Sequence, residues 1–247
     1  MKKFLPGTLG LMALGMAAPA LAADLPARTY TKAPAYIAAV YDWSGFYLGA
    51  NAGWGTTRKC WDFTSAAGAF IGAEGCHNAT GGVAGGQLGY RFQSGPLVYG
   101  LEAQGDWAGL SGSNTSILFG NTTNRTQVDA FGLFTGQVGY AWNNALFYAK
   151  GGAAVTASRY DVLFAGATIV SARENATWGG TAGAGVEYGF APAWSAAVEY
   201  DHIFTPSRLT TFTTAAGAFG GADRIRGDVD LLTARINYHF GPDITKY

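Results

Sequence analysis

Charge is scarce in this chain of 247 residues. Lysine, arginine, aspartate and glutamate make up 13% of it, about half the ~25% usual in soluble domains, and 16 basic residues balance 16 acidic ones. That balance excludes the basic face that nucleic-acid binding requires, so no nucleic-acid partner is expected. The 8 prolines and 37 glycines together stay below the ~25–30% that marks a disordered chain. Long hydrophobic runs are also missing beyond the first residues, which excludes helical membrane spans. It does not exclude a closed barrel, in which every backbone group is satisfied by a neighbouring strand.

The start of the chain reads as an export signal. Lys2 and Lys3 are followed by an apolar run from Phe4 to Ala18, broken by Pro6, and then by "PALAAD", where Ala20 and Ala22 fit the small-x-small cleavage pattern. The other reading is an anchoring helix, but the run is short for the ~20 residues a span needs. Residues 1–22 are therefore assigned to a cleaved signal of the Sec type, 23–43 to an Ala/Pro-rich periplasmic segment, 44–240 to the folded domain and 241–247 to a periplasmic tail.

From Phe46 the large residues take every second position: Phe46, Leu48, Ala50, Ala52 and Trp54, with Tyr47, Gly49, Asn51 and Gly53 between them. A period of two is a strand. Eight such stretches recur, each long enough to cross a bilayer when tilted. "SGP" at Ser94–Pro96, Asn143–Asn144 and Ala191–Pro192 are tight turns; longer Gly/Ser/Thr/Asn-rich segments make the other connections. Aromatic residues gather near the short turns (Tyr90, Tyr140, Tyr188, Phe240) and, as Trp54, Trp107 and Trp178, near the longer segments. Even strand number, apolar-out alternation and two aromatic girdles predict an all-β fold. It is an eight-stranded antiparallel transmembrane β-barrel with short periplasmic turns and four longer extracellular loops, in the outer membrane of a Gram-negative cell. A secreted soluble barrel with its apolar face inward is the alternative, but it would need charge along whole outer faces.

The polar faces carry Arg91, Glu102, Asp106, Lys150, Glu187, Glu199, Asp201 and Arg235. An eight-stranded barrel is just wide enough to be filled by its own side chains, so these charges are expected to pair as a plug. An ion path through a small pore is the other reading. Cys60 and Cys76 fall in the first long connection and are expected to form a disulfide that compacts an exposed loop, worth about 3 kcal/mol by loop entropy. Free thiols, or a metal site with His77, are the alternatives. His77 and His202 are the candidate haem ligands, against ordinary polar roles, and His239 points inward near the short turns. No catalytic, cofactor or metal-binding residue is assigned, and no enzyme activity is expected.

"YDWSGFYLGANAGWG" and the ending "LLTARINYHFGPDITKY" resemble the small outer-membrane β-barrel family of alphaproteobacteria. That family includes the major surface and immunogenic proteins of brucellae, bartonellae and rhizobia, and its members look like the membrane domain of OmpA. The resemblance covers the whole mature chain. It implies a structural surface protein contributing to envelope integrity. The partners it implies are outer-membrane lipid and lipopolysaccharide, the barrel-assembly machinery, and an extracellular ligand or haemin at the loops. A narrow porin-like channel and a haemin-binding surface receptor are the alternative functions. It also implies that the assembly machinery reads the last strand. Tyr238 and Phe240 are then the signal, because Gly241-Pro242 cannot continue a paired strand; Tyr247 is the rival signal.

Overall fold

Alternating residues give every strand one small or polar face and one apolar face, and the chain uses this pattern to close a sheet on itself. The computed structural model describes residues 41–240; the expected export signal, most of the 23–43 segment and the tail lie outside the described residues. Ten antiparallel strands follow: β1 (Gly45–Thr64), β2 (Phe70–Ser94), β3 (Leu97–Thr115), β4 (Thr122–Trp142), β5 (Ala145–Phe164), β6 (Ala167–Ala191), β7 (Trp194–Phe204), β8 (Arg208–Thr213), β9 (Phe219–Arg226) and β10 (Val229–Phe240). Each of the first six pairs with the next, β7 pairs with β10, and β10 closes the ring on β1 from Phe46↔Phe240 to Thr57↔Val229.

The strand count is ten, not eight. β7 and β10 stop part way up, and the β8–β9 hairpin continues above them. There β1 exchanges its partner, pairing with β9 from Cys60↔Arg226 to Thr64↔Ala222, while β8 meets β6 at Ser171↔Thr213. Eight staves therefore surround the lumen at both levels. Two local features make the break. Pro206, between β7 and β8, has no N–H for a ladder. Gly227, between β9 and β10, takes φ 152°, where a Cβ would lie 1.9 Å from the Arg58 carbonyl oxygen.

The four longer loops are also corrected. β1 to β6 run 19 to 25 residues, far beyond the ~9–11 a membrane crossing needs. The Thr-, Ser- and Asn-rich segments are upward extensions of the staves, because their inward residues still bury a core. Apart from the breaks at 205–207 and 227–228, only the tips 65–69, 116–121, 165–166 and 214–218 are unpaired at this end. At the opposite end the turns are tight, with Gly95 and Asn143 in left-handed conformations at φ 59° and 52°.

Outward positions in the lower staves are exposed and apolar: Leu48, Leu88, Leu101, Phe134, Val186, Val198 and Ile236 form the middle of the band. Phe46, Tyr90, Tyr140, Tyr188, Trp194 and Phe240 rim it at the turn end, and Trp54, Trp107 and Trp178 rim it on the other side. The core lies inside the ring.

Candidate functional site

The lumen holds most of the buried polar and charged side chains of the described residues, and it is built in layers. At the turn end, Tyr41 and Trp43, which precede β1, fold in and pack with Val98, Leu146 and Tyr148. The Trp43 amide donates to Gln93 Oε1 at 2.9 Å. These last residues of the segment assigned to 23–43 are a stopper: Trp43 is fully buried. Apolar bulk there shields the charges above it from the water at the turns.

The next layer centres on Arg91 of β2. Its guanidinium pairs with Glu187 of β6 at 2.8 Å and stacks over the Tyr47 ring at 4.4 Å. Glu187 also accepts from Asn237 Nδ2 at 2.8 Å and from the Ser195 hydroxyl, and His239 Nε2 lies 2.9 Å from Ser195 Oγ. Above it, Lys150 Nζ contacts Glu199 at 2.6 Å, Glu102 at 3.3 Å and Asp201 at 3.3 Å. Arg235 donates to Glu102 at 2.9 Å, to Gln104 at 3.0 Å and to Glu199. Tyr47 and Tyr148 donate their hydroxyls to Glu102 at 2.7 Å and Glu199 at 2.6 Å. β1, β3, β5, β7 and β10 each present one or two of these groups, so five strands supply one network.

Seven of the eight lumen charges read from the sequence thus join two ion-pair clusters. Asp106 does not: it is buried and accepts from Gln104 Nε2 at 2.7 Å, without a cation within ion-pair distance among the described residues. The pattern reading missed what lies above. Val83, Leu110, Phe131, Leu133, Ile203 and Leu231 point inward and form an apolar layer across the lumen. The available signal is a doublet, Leu133-Phe134 and Leu231-Leu232, which puts an apolar side chain on both faces of a strand.

The upper lumen alternates again. Lys59 donates to the Gly227 carbonyl at 2.8 Å, and burial pushes its ammonium down to about 8. It borders a cavity of about 10 Å³, room for no more than one water. Above that, Trp61, Tyr160, Ala172, Phe212 and Ile225 form a second apolar layer. Near the tips Asn124 donates to Glu74 at 2.5 Å, and Asp223 is buried; burial, then the charges of Glu74 and Asp62, push its carboxyl up to about 7.

Two expectations about named residues change, those for the cysteines and for His77. The Cys60–Cys76 disulfide is present, but it joins directly opposed residues of β1 and β2 and does not compact a loop. His77 lies inside the lumen on β2, where Nδ1 is 2.7 Å from Asn114 Oδ1 and Nε2 is 3.0 Å from Thr126 Oγ1. Burial lowers its pKa, with the Asn114 contact opposing. His202 stands at the upper end of β7, with Nδ1 2.7 Å from Asp230. Tyr238 and Phe240 point outward on β10, their rings edge to face at 4.9 Å.

Comparison with known proteins agrees with this architecture. The family model for the outer membrane protein beta-barrel domain matches residues 8–240. No curated protein matches the chain. Among solved structures, the outer membrane protease OmpT from Escherichia coli shares 11% identity, with 79% of this chain and 96% of that one covered and a TM-score of 0.50. OprG from Pseudomonas aeruginosa shares 11%, covering 79% and 97%, with a TM-score of 0.49, and neisserial surface protein A shares 14%, covering 80% and 98%, at 0.39. At such identities the likeness to OmpT is one of fold alone. The chain belongs to the outer membrane protein β-barrel domain family.

Proposed function

We propose that this family member is a closed, non-conducting barrel that contributes to envelope integrity and presents its long-stave end to the outside. It faces lipid and lipopolysaccharide with its apolar band. The observation that carries this reading is the filled lumen: the aromatic stopper, two ion-pair clusters and two apolar layers succeed one another along the axis. An apolar layer holding Leu110, Leu133 and Leu231 at 1% exposure or less is a barrier that a polar solute cannot cross without displacing side chains. The family resemblance of the first and last strands supports an alphaproteobacterial surface protein exported by the Sec route and inserted by the barrel-assembly machinery. We place the short turns, both termini and the tail 241–247 in the periplasm.

The competing readings fare less well. A solute channel needs a path through these layers. Haemin ligation needs a free ring nitrogen, and both nitrogens of His77 are engaged; His202 is bonded through Nδ1 alone, so the haemin titration bears on that residue. Hydrolysis needs an accessible nucleophile. Ser195 beside His239 is fully buried, and its hydroxyl donates to Glu187. The test is planar-bilayer conductance of the refolded protein, paired with haemin titration. Current at the unmodified-bilayer baseline and no haem absorbance shift are expected; steady conductance would overturn the closed-barrel reading.

A further inference from the structure

Below the aromatic rim nearest the tips, no lysine or arginine faces outward among the described residues. Arg91, Lys150 and Arg235 are buried in the lower lumen and Lys59 in the upper. Among the described residues, outward cations appear only beyond Trp54 and Trp178, and all are arginines: Arg58, Arg125, Arg159, Arg173, Arg224 and Arg226. Two of them are already engaged, Arg226 with Asp62 at 3.4 Å and Arg224 with the Gly68 carbonyl at 3.2 Å.

Three of the others converge. Arg159 of β5 stands directly opposite Arg173 of β6, and Arg125 of β4 is opposite Asp161, one diagonal step from Arg159. Opposed residues on a sheet place their Cβ atoms about 5 Å apart, and like charges there repel. None of the three has a carboxylate within ion-pair distance among the described residues. Asp161 leaves the group with a surplus of positive charge. Four residues farther down β5 and five down β6, Val155 faces Trp178, which is exposed in the upper rim of the apolar band.

From this juxtaposition we propose that Arg125, Arg159 and Arg173 form a phosphate site on the outer face of β4–β6, and that its occupant is a phosphorylated lipid headgroup of the surrounding leaflet. A phosphate between the opposed guanidinium groups turns their repulsion into two charge-assisted, bidentate contacts, which arginine supplies and lysine does not. A lipid fits better than a soluble polyanion because apolar band and cations are continuous: acyl chains lie against Val155 and Trp178 while the headgroup reaches the arginines. The proposal rests on the membrane placement argued above, and membrane fractionation reads that placement separately.

The probe is lipid A, with its dephosphorylated form as comparison, added to the folded full chain in phosphatidylcholine nanodiscs. Binding is read by native mass spectrometry. The phosphorylated form should bind at least tenfold tighter, and R159Q/R173Q should remove that preference while R58Q keeps it. Without lipid A, R173Q should be as stable as the parent or more so, since it relieves a repulsion; a merely structural arginine would lose stability. R173K should fold and bind weakly, which keeps the test valid if the double variant fails to assemble. Equal binding of the two lipid forms, or an unchanged R159Q/R173Q, would overturn the site. Heparin competing as well as lipid A through the same arginines would assign the site to a soluble polyanion and sink the lipid reading.

Discussion

Replacing Arg235 with methionine tests the lumen network most directly. The guanidinium sits between Glu102 at 2.9 Å and Glu199, fully buried, with Gln104 at 3.0 Å. Without it, three carboxylates (Glu102, Glu199 and Asp201) share the single ammonium of Lys150, at 3.3, 2.6 and 3.3 Å. Removing one partner from a buried pair leaves an uncompensated charge and costs about 3–5 kcal/mol. Arg235→Met should lose that amount in urea unfolding of the barrel refolded into phosphatidylcholine vesicles, followed by tryptophan fluorescence and by the mobility of unheated samples on a gel. Adding Glu102→Gln removes one orphaned carboxylate, so the double variant should recover part of the loss, with a coupling of about 0.5–3 kcal/mol. A single-variant cost under about 1 kcal/mol, or strict additivity in the cycle, would refute a cooperative buried network.

Val198→Arg, on the exposed face of β7, should lose about 2–4 kcal/mol in the same assay, while Ala197→Ser, on the lumen face, should be mild; equal effects would refute the facing. Asp223 holds its proton up to about pH 7 when folded and loses it near 4 when unfolded. The folded state thus binds more protons in that window and stability should fall as pH rises from about 4 to 7, a slope that Asp223→Asn should flatten in urea midpoints. For assembly, Tyr238→Ser/Phe240→Ser should leave protein degraded in the periplasm, and deletion of residues 243–247 should leave folded barrel in the membrane fraction. The reverse accumulation would make Tyr247 the signal.

The sequence by itself determined which side of each lower strand meets an apolar surroundings. A strand's side chains alternate with period two, and a one-residue slip would turn Val198, Leu48 and Ile236 inward together, so the pattern admits a single facing. It likewise located the tight turns at Gly95, Asn143 and Pro192, where residue chemistry acts locally. Three things were left to tertiary structure. Which charges meet depends on how far each strand is staggered around the ring, a quantity summed over eight junctions, so Lys150 finds Glu199 while Asp106 finds no cation among the described residues. Whether Thr- and Ser-rich connections are loops or strands depends on whether their inward neighbours have something to bury; Trp61, Tyr160 and Phe212, 52 to 151 residues apart along parts of the chain that meet only on closure, decide it. And Tyr41 and Trp43 read as the end of an Ala/Pro-rich thread because their burial requires a lumen, which exists only once β10 has paired with β1.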